Sequence, residues 1–139
     1  MEDNCPFCQI IAGPVEAPIV YRDEVSVAFL DRRPLFPGHT LLVPRLHVET
    51  LTDLPEELVG PLFVNARRLA RAVEAACGSD GSFVAMNNRV SQSVPHLHIH
   101  IVPRSKKDGL KGFFWPRQKY GEGGAEEMAR RIRQALAEK

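Results

Sequence analysis

Three observations predict an α+β domain. Short runs rich in β-branched and aromatic residues recur between breaks that contain proline or glycine. One long central segment repeats apolar residues at the helical interval, and the C-terminal stretch carries a second amphipathic pattern. With 139 residues, 44% of them hydrophobic and 25% charged, the chain has the size and balance of one globular domain. A domain of this length buries roughly 68% of the surface its unfolded chain exposes, so its core needs no disulfide framework.

The first extended runs are Ile19 to Arg22 and Val25 to Leu30, and Asp23-Glu24 between them predicts a hairpin turn. Residues 31–38 contain Pro34, Pro37 and Gly38 and read as a loop. Thr40 to Pro44 resumes as an apolar strand. From Leu54 onward Leu58, Leu62, Ala66, Leu69, Val73 and Cys77 share one helical face, with Asp53 and Glu56 as a capping pair. Pro61 lacks an amide donor, which predicts a short first turn and a main helix beginning near Pro61. Cys77, on the apolar face, is expected to be a buried small hydrophobe. Residues 78–81 end that helix, Phe83 to Met86 reads as a strand, Asn87 to Ser93 as a polar loop, and Val94 to Val102 as a strand that alternates histidine with aliphatic residues. The tail carries Phe113-Phe114-Trp115, a glycine-rich link and a helix with Ala125, Met128, Ala129, Ile132, Ala135 and Leu136 on one side.

Charge and cysteine usage exclude several classes. Eighteen basic against 17 acidic residues leave a net charge of +1, too little field to hold a long polyanion, so no nucleic-acid partner is expected. No apolar run approaches the ~18 residues of a membrane span, and the start MEDNCPFC lacks the basic and apolar parts of a signal peptide. Three cysteines, an odd count, fit a reducing compartment. The expectation is a cytoplasmic protein with no membrane partner.

Side chains two apart on a strand share a face, so His96, His98 and His100 should form a row of imidazoles while Leu97, Ile99 and Ile101 enter the core. Neighbours in the row are about 6.6 Å apart at the backbone and the outer pair about 13 Å, so all three cannot ligate one ion. A metal can use at most an adjacent pair. Imidazole titrates near neutral pH and serves as nucleophile, donor or proton shuttle. A nucleophile flanked by donors suits phosphorus, where charge collects on the non-bridging oxygens in the transition state. Ser93 could serve acyl transfer instead, but no acidic partner for a Ser-His-Asp arrangement is evident by spacing.

Gln92-Ser93-Val94-Pro95-His96-Leu97-His98-Ile99-His100-Ile101-Val102-Pro103-Arg104 resembles the signature of the histidine triad (HIT) family. Phe29-Leu30-Asp31 and Pro37-Gly38-His39-Thr40-Leu41-Leu42-Val43-Pro44 resemble its ribose-binding strand and Pro-Gly-His turn, and Cys5-Pro6-Phe7-Cys8 resembles the opening of many bacterial, zinc-containing members. The resemblance implies an α+β fold with a five-stranded antiparallel sheet, one main helix and a C-terminal helix, the sheets joined edge to edge in a homodimer. Residues 1–104 would form the HIT region and 105–139 a tail within the same domain.

It further implies a hydrolase or transferase that binds a nucleotide and cleaves at the α-phosphorus of adenosine phosphoramidates or dinucleoside polyphosphates through a nucleotidyl-histidine intermediate. His98 would be the nucleophile, oriented by the backbone carbonyl of His96. His100 would donate to the α-phosphate, and Ser93 with the amide of Val94 would contact phosphate or leaving group. Asp31 would accept the ribose hydroxyls, Phe7 and Phe29 would flank the base, and Asn87 and Gln92 would lie near the phosphate. The loop from Asn87 to Gln92 is shorter than in many relatives and lacks their glycine before Gln92. Cys5 and Cys8 would hold a structural zinc ion with His47 and His96, while His39 would order its turn. Some branches place a C-terminal tryptophan-proline near the partner subunit's active site, which implies that Trp115-Pro116 shapes the leaving-group pocket; packing on its own sheet or at the dimer edge is the alternative. Two rival readings are a non-catalytic nucleotide-binding or adaptor protein of the same fold, and a metal-dependent enzyme using a His-x-His pair.

Overall fold

The computed structural model describes residues 4–110 and 116–138, which fall into two compact units, Met1–Asp108 and Gly109–Lys139. In the first, α1 (Pro6–Ala12) precedes the hairpin β1 (Ile19–Arg22) and β2 (Ser26–Leu30), then β3 (Thr40–Pro44), a 3-10 turn (Leu51–Asp53), α2 (Glu56–Cys77), β4 (Gly81–Ala85) and β5 (Ile99–Arg104). The five strands form one antiparallel sheet in the order β1-β2-β3-β5-β4. This is the α+β architecture expected from the sequence.

Strand alternation divides the core between the two faces of the sheet. Ala28, Leu42, Leu97, Ile99 and Ile101 pack with Leu62, Ala66, Leu69 and Val73 of α2 on one face. Val27, Phe29, Leu41 and Val43 pack with Cys5 and with Phe7, Cys8 and Ile11 of α1 on the other. The hairpin turn is set by Asp23, whose Oδ1 accepts the amides of Val25 and Ser26 at 2.8 and 2.9 Å. Burial opposes ionisation of Asp23, but its bonds from the Asn65 amide, the Ser26 and Val25 backbone and the Tyr21 hydroxyl outweigh it and lower its pKa to about 2.

Several sequence expectations are corrected. Helix α2 runs unbroken from Glu56 with Pro61 inside it. Pro61 is exposed and lies in the second turn, so its missing donor frees one carbonyl that water can reach. Asp53 caps the preceding 3-10 turn, accepting the backbone amide and hydroxyl of Thr50, instead of pairing with Glu56. Cys77 is exposed, because it is the last helical residue and lies beside Gly38. The short helix α1 was not anticipated; Cys5 caps it through its sulfur, Pro6 opens it and Gly13 closes it at φ 107°.

The second unit contains α3 (Gly124–Ala137), on which Met128, Ile132 and Leu136 are exposed. The aromatic run Phe113-Phe114-Trp115 lies outside the described residues. Among the described residues no helix is long and apolar enough to cross a membrane.

Candidate active site

The strand expected from Val94 begins only at Ile99. Pro95 cannot donate to a ladder, the amide of His96 turns back to Val94 O at 2.8 Å, and that of Leu97 reaches Val48 O at 2.8 Å. Alternation nevertheless persists: Leu97, Ile99 and Ile101 are fully buried on the α2 side, while His96 and His98 both meet Phe7 on the other, at ring-centroid distances of 5.9 and 5.1 Å. The His98 and His100 rings are 5.1 Å apart.

Each ring has a defined hydrogen-bonding role. His98 Nδ1 lies 2.8 Å from the backbone oxygen of His96, which can only accept, so Nδ1 carries the proton and Nε2 presents a lone pair. The amide of Leu35 donates to His39 Nδ1 at 3.0 Å, so the proton of neutral His39 is on Nε2. That Nε2–H donates to His100 Nδ1 at 3.0 Å, which leaves the His100 proton on its own Nε2. Adjacent rings thus offer a nucleophilic nitrogen on His98 and a donor on His100. Burial lowers the pKa of His98 and His39 and, with repulsion from His98 and His39, brings that of His100 down to about 4. All three are neutral at physiological pH, the state in which these roles hold.

A cavity of about 210 Å³ opens onto the His98 and His100 rings. His98, His100, Ser93, Val94, Asp31, Phe7 and Phe29 are all in its wall. Phe7 and Phe29 are buried with centroids 5.4 Å apart, so both belong to the core and border the cavity. An adjoining cavity of about 520 Å³ shares Ile10, Val15, Glu16 and Ala17 with the first but has no histidine or cysteine in its wall. Chemistry therefore favours the smaller one. Asn87 and Gln92 do not line it: Asn87 Nδ2 donates to Ser91 O, while Gln92 accepts from the Arg89 amide and donates to Glu49 O. Both brace the loop.

Cys5, Cys8, His47 and His96 form a second cluster, with all four donor atoms within 4.8 Å of one another. A tetrahedral ion with metal–sulfur and metal–nitrogen distances of about 2.3 and 2.05 Å has sulfur–nitrogen edges of about 3.6 Å. The sulfur to Nδ1 separations are 3.4 Å for Cys5–His96, 3.6 Å for Cys8–His96 and 3.3 Å for Cys8–His47. His96 Nε2–H donates to Pro44 O at 2.9 Å, which reserves its Nδ1 lone pair for a ligand. The donor set fits a metal ion. Asp31, His39 and His100 also cluster, but the proton fixed on His39 Nε2 occupies the position a cation would need.

Comparison with known proteins is consistent with this arrangement. The HIT domain pattern matches residues 13–107. The chain is 38% identical over 115 residues to Protein hit of Bacillus subtilis, covering 81% of this chain and 79% of the relative. It is 35% identical over 112 residues to adenylylsulfatase HINT3 of Arabidopsis thaliana, covering 79% of this chain and 57% of that protein. It is also 35% identical over 97 residues to the asymmetrical bis(5'-nucleosyl)-tetraphosphatase of Schizosaccharomyces pombe, covering 68% and 53%. The fold superimposes on a HIT family protein from Bacillus subtilis with TM-score 0.87 and 34% identity over 95% of this chain and 96% of the other. A Zn-bound histidine triad family protein from Mycobacterium smegmatis gives 0.73 and 37% over 97% and 94%.

Proposed function

The chain belongs to the HIT domain family, and from that premise we propose that it is a nucleotidyl hydrolase or transferase working through covalent His98. Its substrates in this reading are adenosine phosphoramidates or dinucleoside polyphosphates. The observation that carries the reading is the 2.8 Å bond from His98 Nδ1–H to the carbonyl of His96, which aims an unprotonated Nε2 at the cavity. Relatives named adenylylsulfatase and bis(5'-nucleosyl)-tetraphosphatase support nucleotide substrates.

In the first step His98 Nε2 forms a bond to the α-phosphorus as the bond to the leaving group breaks. His100 Nε2–H donates a hydrogen bond to a non-bridging phosphoryl oxygen, and the leaving group departs with a proton supplied by solvent. In the second step water attacks phosphorus, the bond to Nε2 breaks, and the water's proton passes to solvent, which leaves His98 and His100 neutral again. Ser93 and the Val94 amide hold phosphate oxygens, Asp31 accepts the ribose hydroxyls through its two oxygens, and Phe7 and Phe29 contact the base. Asn87 and Gln92 act through the loop they brace.

Cys5, Cys8, His47 and His96 would hold zinc, which supplies a structural crosslink between α1 and the sheet and no step at phosphorus. The Zn-bound relative supports this assignment. Thiolate ligands fit the reduced cytoplasm. A homodimer joined at one of the outer strands, β1 or β4, completes the reading. The test of function is turnover of adenosine phosphoramidate and diadenosine polyphosphates by the native chain and by His98→Asn. The native chain should turn over at least one of them, and the variant should lose at least about 10³-fold in rate while still binding nucleotide. Undiminished turnover by His98→Asn would defeat it.

A further inference from the structure

Sheet register brings together three side chains from three segments. The Asp31 amide donates to His39 O at 2.9 Å, which sets these residues opposite one another at the ends of β2 and β3. Leu41 pairs with His100, so His39, two residues earlier, lies diagonally across from His100 on the same face. His39 is 3% exposed, and its Nε2 lies 3.0 Å from His100 Nδ1, a hydrogen bond, and 3.6 Å from Asp31 Oδ2, an electrostatic contact just beyond hydrogen-bond length. The proton bonds to His100, and the Asp31 carboxylate is the competing acceptor nearest to it. Asp31 Oδ1 already accepts the Arg33 amide at 2.9 Å, so Oδ2 is the oxygen that competes for it.

We propose that His39 is a positioning residue that couples sugar recognition to nucleotidyl transfer. Ribose hydroxyls that donate to Asp31 satisfy the carboxylate and leave the His39 proton to His100. His100 is then held in the tautomer whose Nε2–H serves the phosphate. A sugar that leaves the carboxylate unsatisfied lets Asp31 draw the His39 proton away, and the donor role of His100 weakens. The sugar thus affects the rate of the bound complex and not only its affinity. This inference rests on the proposed roles of Asp31, His98 and His100. If His39 merely orders its turn through the Leu35 amide, the two sugars will differ in binding alone.

The experiment is the single-turnover rate of nucleotidyl-His98 formation at saturating adenosine phosphoramidate and its 2'-deoxy analogue. It compares the native chain with His39→Asn and His39→Gln. Asparagine can keep an acceptor for the Leu35 amide but brings no donor to His100; glutamine can place an amide N–H near the former Nε2. The native chain should react about tenfold faster with the ribonucleotide at saturation, the scale of one hydrogen bond. In His39→Asn the ratio should fall to within about twofold, with the affinity difference between sugars retained, and His39→Gln should recover part of the ratio. Equal saturated rates in the native chain, or an undiminished ratio in His39→Asn, would overturn the coupling while the covalent reading stands. Equal native rates overturn the coupling even where one variant fails to fold, and either folded variant suffices to place a native difference on His39. Absence of any adduct on His98 with either sugar would overturn the covalent reading and the coupling together.

Discussion

His96 links the two clusters through different parts of one residue. Its ring offers Nδ1 to the Cys5 and Cys8 sulfurs, while its backbone oxygen fixes the protonated edge of His98. The histidine row was legible because alternation with Leu97, Ile99 and Ile101 is a local property of the sequence. The link from Asp31 through His39 to His100 was not, because it depends on the register of β2, β3 and β5 and on the amide of Leu35. Asp31 provides a test at this scale. Asp31→Asn keeps the shape but loses the charge and one acceptor, so nucleotide affinity should fall by about tenfold, as for a lost charge-assisted bond. Calorimetric titration with AMP measures it, and unchanged affinity would remove Asp31 from the ribose site.

The elements around these residues carry two further expectations. Helix α1 is short, and its buried Cys5 and Cys8 connect it to His47 and His96. Under the proposed zinc assignment, treatment with a chelator, or Cys8→Ser, should lower the midpoint of thermal unfolding by several degrees or more and slow His98 nucleotidylation, since His96 holds both ends of this connection. Calorimetry with and without chelator checks the first effect, and an unchanged midpoint would show that no metal braces α1. The Pro-Gly-His turn is the second case. Gly38 has φ 102° and a Cβ there would collide with Cys77 Sγ, so Gly38→Ala should cost about 1–3 kcal/mol. Adding Cys77→Gly should recover only the steric part, because the left-handed backbone remains; complete recovery in urea titration would contradict the backbone contribution. The run of Thr40 to Pro44 announced its strand directly. Pro61 misled because its position in the second helical turn, on an exposed face, is a tertiary fact. The late start of β5 at Ile99 likewise depends on Pro95 and on Leu97 pairing with Val48.

Across the sheet as a whole, one face carries the α2 core and the other carries the α1 cluster together with the histidine row and the cavity beside it. Buried neutral histidines also impose a pH dependence. His100 has a folded pKa of about 4 against 6.5 when unfolded, and His39 and His98 are lowered too, so below 6.5 the unfolded chain binds protons that the native chain refuses. Stability should therefore decline as pH falls from about 6.5 toward 4, by up to about 1.4 kcal/mol per pH unit for each proton of difference. Urea midpoints across that interval measure the slope, and a flat profile would contradict burial of the neutral rings. Asp23 adds a loss at lower pH, between 3.8 and about 2. The central claim concerns what happens at His98. The most direct measurement is the intact mass of the native chain, acid-quenched within the first turnover of adenosine phosphoramidate or a diadenosine polyphosphate, followed by peptide mapping. The prediction is one adenylyl group per chain, located on His98 and absent from His98→Ala; no adduct with either substrate, or an adduct on another residue, would contradict it.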